Sequence, residues 1–168
     1  MTEVRPAHLS RGRDMLLTKE QIALRDYWGA FADDVGSRKG GWDWFMTGTF
    51  RDPGPAEQAR GWTRVGLAYS KRACDAFLRK VGDMRGMQDH HWFRAREYQR
   101  ERGVPHYHML IGGVAGLRRD EAWDWWFKRF GFARILPYEP DKGARFYLCK
   151  YVTKPLGDFE FSDNLVLG

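Results

Sequence analysis

The chain has 168 residues and carries 28 lysines and arginines against 22 aspartates and glutamates, a formal charge of +6 with histidine neutral. That is the length of one domain, and an apolar fraction of 43% with 15% aromatics excludes disorder for most of it. The longest nearly uncharged apolar run, residues 109–117, is about half of what a membrane-spanning helix needs, the first residues lack the apolar core of a secretory signal, and Cys74 and Cys149, without C-x-x-C spacing, support neither a disulfide framework nor a cysteine zinc site. A soluble, cytoplasmic protein with reduced thiols is expected, and its basic excess favours a polyanionic partner such as nucleic acid.

Residues 1–17 mix Pro6, Gly12 and charges without periodicity and read as a mobile N-terminal segment ahead of a single domain, residues 18–168. From Thr18, the spacing of Ile22, Leu24, Tyr27, Trp28 and Phe31 predicts a capped helix running to Gly36. Residues 42–50, WDWFMTGTF, lie between a Gly-Gly pair and the breaker run RDPGP and read as a strand. Apolar residues at steps of four from Val65 to Val81 predict a second helix over 62–81. Residues 91–99 and 107–113 flank the turn Arg102-Gly103-Val104-Pro105 and read as a hairpin. A helix over 120–130 puts Trp123, Trp126 and Phe127 on a core stripe and leaves Trp125 as a freer candidate for stacking on a base. A short strand over 134–138 follows, and a last helix over 141–154 is stopped by Pro155. Helices interleaved with strands but joined in the middle by a tight hairpin argue for an α+β fold, with one mostly antiparallel sheet flanked by helices. The chain has no phosphate-binding loop of the G-x-x-x-x-G-K-[ST] type and no G-x-G-x-x-G, which disfavours nucleotide triphosphatases and dinucleotide enzymes.

Two places carry chemistry. His106 and His108 are separated by one residue, so on a strand both imidazoles share a face while Tyr107 points away. Glu97, nine residues upstream, reaches the same place if the hairpin turns near Gly103, which makes a two-histidine, one-carboxylate metal site. The alternative is a polar sheet face with no ion. In the last helix, Tyr147 and Tyr151 are one turn apart and each is followed three residues later by a lysine, Lys150 or Lys154, so all four share a helical face. A phenol becomes a nucleophile when neighbouring positive charge favours its phenolate; as plain packing, the tyrosines would be core rings with lysines reaching to solvent.

The order E-x8-H-Y-H (Glu97 to His108), then Y-x-x-K-Y-x-x-K (Tyr147 to Lys154), preceded by the strand Phe45-Met46-Thr47-Gly48-Thr49-Phe50, resembles HUH endonucleases of the Rep class, which initiate rolling-circle replication. Mobilisation relaxases place the tyrosine before the histidines. The resemblance implies the HUH (ferredoxin/RRM-like) fold, with an antiparallel sheet of about five strands and the tyrosine helix lying across it. It also implies site- and strand-specific nicking and rejoining of single-stranded DNA with Mn²⁺ or Mg²⁺. Glu97, His106 and His108 would bind the metal, and Tyr147 first and Tyr151 second would attack the phosphate, steadied by Lys150 and Lys154. The product would be a 5′-phosphotyrosine and an extendable 3′-hydroxyl. Arg94, Arg96, Arg100 and Arg102 are candidate DNA contacts beside the metal strand. No helicase domain is expected, so a hairpin at the origin, a host helicase and a host polymerase in a bacterial or archaeal cell would complete the reaction. The competing readings are a single-tyrosine HUH transposase, a zinc hydrolase using the same three ligands, and a non-catalytic single-strand-binding module.

Overall fold

A computed structural model describes residues 18–86, 89–99, 101–148 and 159–166. The segment 1–17 and the candidates Arg100, Lys150, Tyr151 and Lys154 lie outside the described residues. Helix α1 spans Lys19–Arg38. Its cap is reciprocal: the Thr18 hydroxyl accepts from the Gln21 amide at 3.2 Å, and the Gln21 side chain accepts from the Thr18 amide at 2.9 Å, which satisfies two amides that have no partner within the helix. Strand β1 is Trp44–Gly48, shorter than the aromatic run because both of its ends turn away from the ladder. The helix expected over 62–81 divides. Pro55 opens a short α2, Pro55–Ala59, and Gly66 caps a separate α3, Leu67–Met84. The break falls at Gly61, whose positive φ of 86° no helix continues through.

The central hairpin follows the period-2 pattern. Strand β2, His91–Tyr98, pairs antiparallel with β3, Pro105–Gly112, across a turn in which Gly103 adopts φ 60°. Helix α4 (Arg119–Arg129) and strand β4 (Ala133–Pro137) follow, then α5 (Gly143–Leu148), β5 (Phe159–Phe161) and a final turn, α6 (Asp163–Val166). The strands form one five-stranded sheet, antiparallel in every pairing given by its register, in the order β4-β1-β3-β2-β5. The protein is thus α+β with an antiparallel sheet and flanking helices. The edge strand β5 was not anticipated, because Phe-Glu-Phe is too short to show a period, and its partner lies more than sixty residues upstream.

Alternation of side chains splits the sheet into two faces. Trp44, Met46, Tyr107, Met109 and Ile111 pack with Phe77, Val81 and Trp126 beneath α3 and α4. Each fully buried ring of this kind contributes about 2 kcal/mol. Leu110, Phe93 and Ala95 face the other way, against Ala32 and Val35 of α1 and Ala144 and Tyr147 of α5. This second face carries the candidate chemistry. Trp125 is not the free ring its position had promised: it packs against the first core, with its centroid 6.2 Å from Phe77 and Arg129 held 4.3 Å above it. Phe127 is the exposed member of α4, stacked on Trp123 at 4.7 Å.

Candidate metal centre

The β2–β3 register sets Glu97 opposite His106 and Ala95 opposite His108, so the hairpin alone gathers a carboxylate and two imidazoles onto the α1/α5 face. The small side chain of Ala95 leaves space beside His108. The Glu97 Oε2 atom lies 3.3 Å from His106 Nε2 and 3.6 Å from His108 Nε2, and the histidine rings stand edge to face with centroids 4.7 Å apart. One ligand atom from each of the three can be chosen so that all lie within 4.8 Å of one another. Two ligands bonded at about 2.1 Å and separated by a tetrahedral or octahedral angle sit about 3.0–3.5 Å apart, so the carboxylate-to-imidazole spacings fit a cation. A second observation concerns the Nδ1 atom of His106, which is buried without a hydrogen-bond partner among the described residues. Such an atom is costly to desolvate unless something satisfies it.

The neighbouring strand orients the histidines. Thr47 of β1 lies opposite His108, and its hydroxyl is 3.1 Å from His108 Nδ1. That contact fixes the ring so that Nε2 faces Glu97, the outer support typical of metal-binding histidines. Phe45, one pleat away on the same face, lies nearly parallel to the His108 ring at 6.2 Å. Sequence reasoning passed over Thr47, because a threonine in a strand reads as ordinary β propensity until its cross-strand partner is known.

Helix α5 brings Tyr147 to this face. Its ring packs on Phe45 at 4.8 Å and on Tyr138 at 5.0 Å, its hydroxyl accepts from the Glu139 amide at 3.0 Å, and the residue is 7% exposed. Phe45 therefore separates Tyr147 from His108, and the Tyr147 oxygen is occupied by a backbone donor.

The arginines chosen as DNA contacts divide by parity. Arg94 and Arg96 alternate with Ala95 and Glu97 on β2, so they point to the opposite face of the sheet from the metal ligands. Arg94 is buried, pairs with Asp75 at 2.6 Å and with Glu160, and lies 4.9 Å from the Trp92 ring centroid. Burial would lower the pKa of its guanidinium, but the two carboxylates outweigh that and raise it. Arg94 is thus a structural tie between α3, β2 and β5, and its assignment as a DNA contact is withdrawn. Arg96 lies over the Tyr98 ring at 5.6 Å. Arg102, beyond the turn, donates to the Phe50 carbonyl at 3.0 Å and pairs with Asp52.

The family model for the replication-associated protein ORF2 matches residues 43–156, more than half of the chain and inclusive of every ligand described above. Among solved structures, the chain is similar to the N-terminal nuclease domain of non-structural protein-1 from minute virus of mice, at 12% identity and a TM-score of 0.31, over 86% of this chain and 73% of that one. That domain is described as coordinating Zn²⁺ in its active-site pocket and as recognising DNA at the origin of replication. A search of curated proteins finds no match.

Proposed function

Because the chain belongs to the replication-associated protein ORF2 family, we propose that it initiates rolling-circle replication by nicking and rejoining single-stranded DNA through a tyrosine, with Mn²⁺ or Mg²⁺ as cofactor. The observation that supports this reading is the convergence of Glu97, His106 and His108 on a sheet face across which α5 is docked. Glu97, His106 and His108 would hold the cation, whose chemistry is to polarise a non-bridging phosphate oxygen and draw charge off phosphorus. The chain's own residues do the rest.

A tyrosine oxygen attacks phosphorus in line with the 3′-oxygen. The tyrosine O–P bond forms, the P–O3′ bond breaks, and the proton lost by the phenol is balanced by the one gained at the 3′-hydroxyl. The phosphodiester survives as a phosphotyrosine, so the reverse attack by a 3′-hydroxyl rejoins the strand without a nucleotide, in keeping with the missing phosphate loop. The engagement of the Tyr147 hydroxyl by the Glu139 amide supports Tyr151, one helical turn on, as the first nucleophile, with Tyr147 available for a second transfer once that hydrogen bond opens. Lys150 and Lys154 would steady phenolate and phosphate. A hairpin at the origin, a host helicase and a host polymerase are the partners this reading requires.

The test is incubation of the wild type with a labelled pool of single-stranded, hairpin-bearing oligonucleotides and Mn²⁺, read on a denaturing gel beside Tyr147→Phe, Tyr151→Phe and His106→Ala. A metal-dependent protein-linked band is expected for the wild type and Tyr147→Phe and is lost in the other two. Tight single-strand binding with no band in any lane would leave a non-catalytic binding module.

A further inference from the structure

We propose that Arg134 and Phe132, at the sheet edge, form a contact site for the single strand beside the phosphate that is cut, Arg134 taking a backbone phosphate and Phe132 stacking on a base. This rests on the reading of the metal centre given above. Arg134 lies on β4 between Ala133 and Ile135, both of which are buried in the α3/α4 core, so its own side chain leaves the sheet on the face of the metal ligands. The register places it opposite Thr47, which is in turn opposite His108. Arg134, Thr47 and His108 are thus one row across three adjacent strands, and the outer two Cα atoms are separated by two strand spacings, about 10 Å. An extended arginine spans most of that distance.

The charge state of this row sets it apart. Arg38, Arg94, Arg102, Arg118 and Arg145 are each held by an aspartate or glutamate. Arg134 is exposed and has no ion-pair partner among the described residues. A guanidinium without a counter-ion, in the same row as a metal ligand, is suited to a phosphate oxygen. Two residues earlier, Phe132 is 59% exposed. Its position is fixed through its carbonyl, which accepts from both the amide and the hydroxyl of Thr49, at 2.9 and 2.7 Å. The ring is left outside the core, with Trp123 edge-on at 6.5 Å. A cation and an uncovered ring two residues apart on an extended segment match the alternation of phosphate and base in an unpaired strand, whereas a duplex keeps its base faces hidden.

The experiment is anisotropy titration of labelled oligothymidylate, and of a duplex control, at several salt concentrations in EDTA. The proteins are the wild type, Arg134→Ala, Arg134→Lys and Phe132→Ala, with Mn²⁺ titration and the denaturing-gel assay run in parallel. Arg134→Ala is expected to weaken single-strand binding about tenfold and to lower the slope of log K against log salt by about 0.7, one phosphate contact on a single strand. Arg134→Lys keeps the slope. Phe132→Ala loses about tenfold in affinity with the slope unchanged, and Mn²⁺ affinity is the same throughout.

Wild-type affinity and slope in Arg134→Ala, with the covalent band intact, would overturn the site and leave the nickase standing. Loss of affinity and slope in Arg134→Ala, with no band from the wild type, would uphold the site and reject the nickase. Failure of the wild type to bind oligothymidylate would reject both.

Discussion

Two polar contacts at single residues control the candidate centre and the strand that carries it. The Thr47 hydroxyl on His108 Nδ1 is the only part of that threonine the histidine uses, so Thr47→Val keeps the shape of β1 and removes the orienting bond. Mn²⁺ affinity, followed by calorimetry, is expected to fall about 10–100-fold while the unfolding midpoint changes little. At the far end of β3, His91 Nε2 donates to the Gly41 carbonyl at 2.8 Å, and a Cβ on Gly112 would stand 2.1 Å from that nitrogen and 2.2 Å from that oxygen. Gly112→Ala is therefore expected to cost about 2–3 kcal/mol in urea denaturation, as overpacking at a site with no room to relax.

Burial also holds the His91 pKa below the ordinary histidine value, the Gly41 hydrogen bond and Asp43 opposing it in part. The unfolded chain then takes up a proton that the folded one refuses. The stability contributed by His91 is complete above about pH 6.5 and is lost as pH falls from there toward its folded-state pKa. His91→Gln keeps a donor for Gly41, and its stability should fall less than that of the wild type between about pH 7.5 and 5.5.

Among the elements, the central hairpin was the most legible. Alternation, Gly103 and the H-x-H spacing together imply that Glu97 and His106 face each other, and they do so in the register. The same alternation could have separated Arg94 and Arg96 from the metal face, since they differ from Glu97 in parity; proximity in sequence hid it. What could not be read was long-range. β5 and the tie from Glu160 to Arg94 join segments 66 residues apart, and the burial of Tyr147 depends on Phe45 and Tyr138, which the helix pattern does not mention.

The tie has a measurable asymmetry. The Arg94 side chain is 4% exposed while those of Asp75 and Glu160 are 37% and 43% exposed. Removing both carboxylates, as Asp75→Asn with Glu160→Gln, strands a buried cation and is expected to cost about 3–5 kcal/mol. Arg94→Met leaves two carboxylates that water can reach and should cost less. Equal losses in urea titrations would argue against the buried-charge account.

For the whole molecule, cation binding and folding are linked. The three ligands meet only in the folded sheet, so Mn²⁺ at about a hundred times its dissociation constant stabilises the fold by about 2.7 kcal/mol, which for a domain of this size raises Tm by about 5–10 °C. His106→Ala should abolish that rise in a thermal melt while retaining the sheet's circular dichroism.

The ligands lie within the span of residues 97 to 108, whereas α5 arrives some forty residues later and β5 later still. Closing so short a loop costs little chain entropy and takes microseconds, but docking α5 and latching β5 onto β2 require most of the chain to be present. During synthesis, and again when the protein begins to melt, the cation-holding half of the machinery exists without the tyrosine half. A nascent or fraying molecule can chelate metal, yet it lacks the arrangement that would cut a strand it could not reseal.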